Sequence, residues 1–196
     1  MAKQLITAYS DNLLKIDELN TWLKLSSDSN EDDLVLSLVK AAISTIENIC
    51  NISIFLQTWA NYHNDFPLFP VVKIKIYPAN VATVTSITYY DEDNAQQTLS
   101  TSIYDTDLIT QPAYVTLKVD QDYPATYESV NNVVINFTAG WATWALIPSV
   151  LKTAIKMTVT HWYENRQPVV IGRMVSEIPM TVKYLLQNSG YLIREF

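Results

Sequence analysis

The chain has 196 residues, enough for one domain or for one domain carrying an insertion. Hydrophobic residues make up 48% and charged residues only 17%, so a real core can form while the surface is thinly charged for a free monomer. A net charge of −7 excludes a protein that wraps nucleic acid, which needs a basic footprint; it is compatible with a negative bore that repels phosphates.

The single cysteine, Cys50, excludes an internal disulfide and any CxxC zinc site, and its place on an apolar helix face reads as a buried small hydrophobe. The start MAKQLITAYSDNLL has no adequate apolar stretch, so no signal peptide is expected. No apolar run reaches the roughly 18 residues of a membrane span. The expected compartment is the cytosol or a particle assembled there. Five Trp and twelve Tyr suit protein interfaces and ordinary sheets equally.

Residues 1–15 are mixed and read as an arm or a strand of low order. Ile16–Leu25 reads as a short helix with Leu19, Trp22 and Leu23 on one face. After the polar break Ser26–Asn30, where Asp28, Ser29 and Asn30 are all candidate N-caps, Glu31, Asp32 and Asp33 place negative charge where a helix dipole favours it. A long helix over Leu34–Cys50 follows, with Leu34, Val35, Leu38, Val39, Ala42, Ile46 and Ile49 facing inward.

From Ile52 the period shortens. Phe55–Tyr62, Val71–Tyr77, Val81–Tyr90, Gln96–Leu99, Tyr114–Val119 and Val133–Phe137 read as about five or six antiparallel strands, with Asp91–Asn94 as a turn. Gly140 ends the last of them. Pro148–Arg166 reads as the central helix, with Val150, Leu151, Ala154, Ile155, Val159 and Trp162 spaced three to four apart. Gln167–Ile178 is an apolar loop, and Pro179 opens a last helix to about Asn188. Neither helical part can bury its stripe alone, so the two must meet. The predicted fold is α+β: a bundle of two N-terminal and two C-terminal helices with an inserted antiparallel sheet or sandwich. The boundaries are an arm at 1–15, a discontinuous helical domain at 16–51 and 141–190, a β subdomain at 52–140 and a tail at 191–196.

No catalytic constellation stands out. His161 and Glu164 share a helix face, but HExxH is absent and His63 is the only other histidine, so a packed or interface histidine is the better reading. Asp91, Glu92 and Asp93 lack the glycine and distant glutamate of a calcium loop and read as a solvated turn. GxSxG, P-loop and GxGxxG motifs are missing, and three glycines could hardly build one. The chain is therefore expected to be no enzyme and to bind neither cofactor nor metal. Arg166 complements the helix dipole, and reads equally as a local cap or as a pair across a subunit boundary.

Four segments, in this order and spacing, resemble the head–tail connector (head-completion adaptor) proteins of long-tailed phages, in their longer branch with a β insertion. They are Glu31-Asp32-Asp33-Leu34 through Ala41-Ala42 to Ile49; Leu56-Gln57-Thr58-Trp59; Ile76-Tyr77-Pro78 leading into Val84 through Asp91; and Phe137-Thr138-Ala139-Gly140-Trp141 with Ile147-Pro148 and His161 through Arg166. The likeness spans about residues 17–188. Asn51 replaces the usual glycine after the second helix and can still take a left-handed cap.

The resemblance implies a structural virion protein of the neck. It would form a ring of about twelve copies beneath the portal protein, continue the channel through which double-stranded DNA passes unread, and dock a stopper or tail-completion protein. Candidate subunit or portal contacts are Lys152, Lys156, Tyr163, Glu164, Arg166, Val169, Ile171, Tyr191 and Phe196. Lys152 and Lys156 lie on the polar side of the central helix, facing either the channel or the portal. The alternative is a tail or baseplate binding module, in which Trp59, Tyr89 and Tyr90 would form an exposed stacking strip on the β subdomain.

Overall fold

The computed structural model describes residues 2–10, 14, 16–25, 31–67, 73–127, 129–165 and 180–191. The chain divides into two compact units, Met1–Ser10 with Ile52–Ala142 and Asp11–Asn51 with Thr143–Phe196. The architecture is mixed α+β, with four helices and two antiparallel sheets among the described residues.

The helical unit holds α1 (Ile16–Leu23), α2 (Asp32–Cys50), a 3-10 turn (Trp144–Leu146), α3 (Ser149–Glu164) and α4 (Met180–Asn188). α3 is its centre and touches α1, α2 and α4. Its buried stripe is Leu151, Ala154, Ile155, Thr158 and Val159, while Val150 and Trp162 are only half-buried. The stripe is thus turned toward Thr158, whose hydroxyl donates to the Ala154 carbonyl at 2.8 Å and so enters the core without an unsatisfied group. Pro148 is the residue before the first helical turn, where its fixed φ and missing N–H fit.

α2 starts at Asp32, two residues before the predicted Leu34, and Glu31 precedes it without a side-chain cap. Asp32 and Asp33 supply the favourable charge at that end. The buried face is Val35, Val39, Ala42, Ile43, Ile46 and Cys50; Leu34, Leu38 and Ile49 flank it, half-buried. Asn51 closes the helix in the left-handed region (φ 49, ψ 43), its N–H bonded to the Glu47 carbonyl. α1 buries Leu19 alone, and Trp22, predicted on its inner face, is 48% exposed.

The sheet unit contains eight described strands: β1 (Ala2–Thr7), β2 (Gln57–His63), β3 (Ile74–Lys75), β4 (Val81–Tyr90), β5 (Gln96–Thr98), β6 (Tyr104–Asp107), β7 (Tyr114–Leu117) and β8 (Val133–Ala139). They form a five-stranded sheet in the order β1-β2-β8-β4-β5 and a three-stranded sheet in the order β3-β7-β6. Residues 2–7, read from sequence as part of an arm or a strand of low order, form a strand that pairs with β2 along its length. β8 is the middle strand of the larger sheet, with Val133, Ile135, Phe137 and Ala139 all buried. Together with Phe66, Ile74, Ile76, Ile87 and Val115 they make one core.

Two asparagines act as surrogate strands. Asn61, wholly buried, accepts from the Tyr77 N–H at 2.9 Å and donates to the Tyr77 carbonyl at 2.8 Å. Asn80 does the same for Ser53, at 2.7 and 2.6 Å. Each pairs a backbone N–H and C=O that would otherwise be left unsatisfied. Gly140 has a φ of 109 because the chain passes so close to Phe55 that a Cβ would sit 2.1 Å from the Phe55 carbonyl oxygen. That approach carries two further bonds, Trp141 N to the Ile54 carbonyl at 3.1 Å and Leu56 N to the Trp141 carbonyl at 3.0 Å.

Candidate interaction surfaces

In the helical unit the two lysines of α3 are engaged by their own chain. Glu18 on α1 takes the Lys156 ammonium on one carboxylate oxygen at 2.5 Å and the Trp144 indole N–H on the other at 2.8 Å. The Lys156 bond, reinforced by Trp144, holds the Glu18 carboxyl below its ordinary pKa despite the opposing effect of burial. Lys156 also lies 5.4 Å from the centre of the Trp22 ring, and its side chain is only 16% exposed. Trp22 donates its indole N–H to Thr160 at 3.0 Å. Lys152 donates to the Ala145 carbonyl at 3.1 Å and lies 6.0 Å from the Trp144 ring. Lys156 thus fastens α1 to α3, and Lys152 fastens α3 to the preceding turn.

Beside this network Glu18, Thr21, Trp22, Lys24 and Lys156 line an open cleft of about 540 Å³. Tyr163 donates its hydroxyl to the Glu31 carboxylate, tying the end of α3 to the start of α2. Glu164 points to solvent. Tyr191 is half-buried, and burial, with the Cys50 thiol nearby, raises its hydroxyl pKa. Of the predicted contact residues, Arg166, Val169, Ile171 and Phe196 lie outside the described residues. The outward face of α4, which the sequence reading left unassigned, carries Met180 (79% exposed) and Tyr184 (67%), four residues apart on one side.

In the sheet unit Trp59, Tyr89 and Tyr90 do not form an exposed stacking strip. Trp59 and Tyr89 pack against the core, and only Tyr90 crosses to moderate exposure. Phe66 and Tyr123 stack face to face at 4.5 Å, beside a cleft of about 300 Å³ that also involves Asp65, Pro67 and Asp122. The acidic turn is a hairpin device: Asp91 accepts from the backbone of Ala95 (2.8 Å) and Asp93 (3.2 Å) and from the Gln97 amide (2.8 Å). These bonds hold its carboxyl below the ordinary range. Burial lowers the His63 pKa, favouring the neutral ring. No three His, Cys, Asp or Glu side chains among the described residues could together hold a metal ion. No helix among the described residues is long and apolar enough to cross a membrane.

No curated protein matches the chain. Solved structures do. A chain from the neck of an empty GTA particle computed with C6 symmetry aligns at a TM-score of 0.79 and 22% identity, covering 100% of this chain and 98% of that one. A chain from the virion of a native gene transfer agent (GTA) particle gives 0.79 and 20% over the same shares. A chain from the neck of a native GTA particle computed with C12 symmetry gives 0.74 and 21%, again with 100% and 98% covered. These likenesses show the fold. The family model described as "Head completion protein" matches residues 12–176, spanning α1 through α3 and the whole inserted sheet region, and the chain belongs to that family.

Proposed function

We propose that this protein is a structural component of the neck of a phage-like particle. It forms a ring, about twelve copies, beneath the portal; it continues the DNA channel and docks the next stopper or tail component. The observation that carries this reading is the head-completion family match over residues 12–176. The similar folds come from necks and a virion, and two of those necks are computed with sixfold and twelvefold symmetry. The net charge of −7 fits a passage through which DNA slides without adhering. The exposed Met180 and Tyr184 on α4 give the helical unit an outward apolar face for a partner. The work is assembly, with no bond made or broken.

The test is to image particles made with and without the protein. DNA-filled heads lacking tails are expected in its absence, and a ring under the portal in its presence. Normally tailed particles from the deletion would refute the proposal. The binding-module alternative has no comparable support, since Trp59 and Tyr89 are packed into the sheet.

A further inference from the structure

At one end of the sheet unit β2 and β4 finish and β8 begins. The residues that follow β2, those that follow β4 and those that lead into β8 are knitted together there. Asn131 N donates to the Asn64 side chain at 3.1 Å, the Thr126 hydroxyl to Asp65 at 2.6 Å, and Tyr127 N to the Tyr90 carbonyl at 3.1 Å. Phe66, stacked on Tyr123, also meets Tyr89 edge-on at 5.6 Å. The cleft of about 300 Å³ opens here, with Phe66, Tyr123 and Pro124 as apolar walls and the exposed carboxylates of Asp65 and Asp122 on its rim. Both bonds to Asp65, from Thr126 and from Phe66 N at 2.7 Å, fall on Oδ1. The carboxylate is thus held in place with Oδ2 unpaired among the described residues. Asp122 has no hydrogen bond or ion pair among them, and the Tyr123 hydroxyl is buried and equally without a partner.

The same loops carry Glu92, Asp93 and Asp120, all exposed, while the nearby Lys118 is taken up by Asp105 at 3.8 Å and the Thr101 carbonyl at 3.1 Å. Apolar side chains stand out among the acids: Val119 is 87% exposed and Val130 75%. An acidic surface of this kind, with a cleft the size of one long side chain, selects lysine or arginine. The charged head lies between two carboxylates and the methylene stem lies on the rings and the proline. A metal ion fits poorly, since no three ligand side chains gather among the described residues. A second copy of this chain is a poor source of the cation. It carries a net charge of −7, and its Lys3, Lys73, Lys118, Lys152 and Lys156 each already face a ring, a carboxylate or a carbonyl of their own chain.

We propose that this acidic cleft is the docking point for a lysine- or arginine-bearing segment of a different neck protein. This rests on the neck reading above and adds the surface and the chemistry of the contact.

The test places the photo-cross-linker benzoylphenylalanine at Ala125, an exposed residue of the cleft, in assembled particles and identifies the linked peptide by mass spectrometry. The expected product joins this chain to a lysine- or arginine-bearing segment of one other virion protein. Asp122→Lys should cut that product about tenfold at low salt, with a smaller effect at high salt, and changing the linked cation to glutamate should restore it. Asp122→Asn, which keeps the shape and removes the charge, should give a loss of about threefold. Urea unfolding of both variants beside the parent chain confirms that the fold is kept. A link to a second copy, a link to a segment without lysine or arginine, or a yield indifferent to both substitutions would overturn the proposal. Particles that hold the protein under the portal but give no link overturn the docking point and leave the neck reading intact; tailed particles that lack the protein overturn both.

Discussion

Gly140→Ala tests whether the close passage of residue 140 past Phe55 governs the stability of the sheet unit. Two penalties combine. A φ of 109 is strained for any L side chain, by about 1–3 kcal/mol. The new Cβ would also stand 2.1 Å from the Phe55 carbonyl oxygen, 2.4 Å from its carbon and 2.8 Å from the Leu56 nitrogen. All three are backbone atoms, so no flexible side chain can yield, and overpacking of this kind adds about 1–3 kcal/mol. The expected loss is roughly 3–5 kcal/mol, a large share of the roughly 5–15 kcal/mol that holds a typical protein folded. In a chain of this size it should lower Tm by about 6–20 °C. Gly190 is the internal control. Its φ is 78 and nothing lies within 4 Å, so Gly190→Ala carries strain alone and should cost only about 1 kcal/mol. Thermal and urea unfolding of the two variants beside the parent chain measures both. Equal effects, or a Gly140→Ala loss under about 1 kcal/mol, would refute the steric argument.

Asn61→Ala should cost about 2–4 kcal/mol in urea unfolding, because it orphans both the N–H and the C=O of Tyr77 beside a buried side chain; an effect under about 1 kcal/mol would mean water takes the place of the amide. Glu18→Gln should cost about 0.5–1 kcal/mol, the value being modest because the Glu18 side chain is 42% exposed. Its folded pKa is depressed, so the carboxylate contributes stability above its ordinary pKa near 4.5 and loses it as pH falls through the lower folded value. The parent chain and Glu18→Gln should therefore converge in stability as pH drops below 4.5, and a gap that widens there would contradict the assigned bond.

Much of the fold is legible in the sequence because periodic burial writes itself into residue type. The stripes of α2 and α3, the alternation Lys73-Ile74-Lys75-Ile76, and Asn51 as a left-handed cap all follow from local rules. β1 and β6 are illegible for the same reason. All of β1 is exposed, and β6 reads Tyr-Asp-Thr-Asp with Tyr104 alone buried, so neither strand leaves an alternating apolar trace. Their pairing is decided by the neighbouring strand rather than by their own residues. The partners of Lys152 and Lys156 are hidden differently: Glu18 is 138 residues away from Lys156 in sequence, and no local pattern reports a contact of that span.

The backbone enters the sheet unit at Ile54–Leu56 and leaves it at Trp141, and these two points are hydrogen-bonded to each other. The inserted segment thus begins and ends at a single gate, so exchanging it for a relative's would demand almost no loop closure from the helices that flank it. Strand β1 breaks the symmetry of that cassette, because it comes from the far end of the chain. A graft of residues 52–142 alone would strip the outermost strand from its host sheet, and a working chimera has to carry residues 2–10 from the same donor.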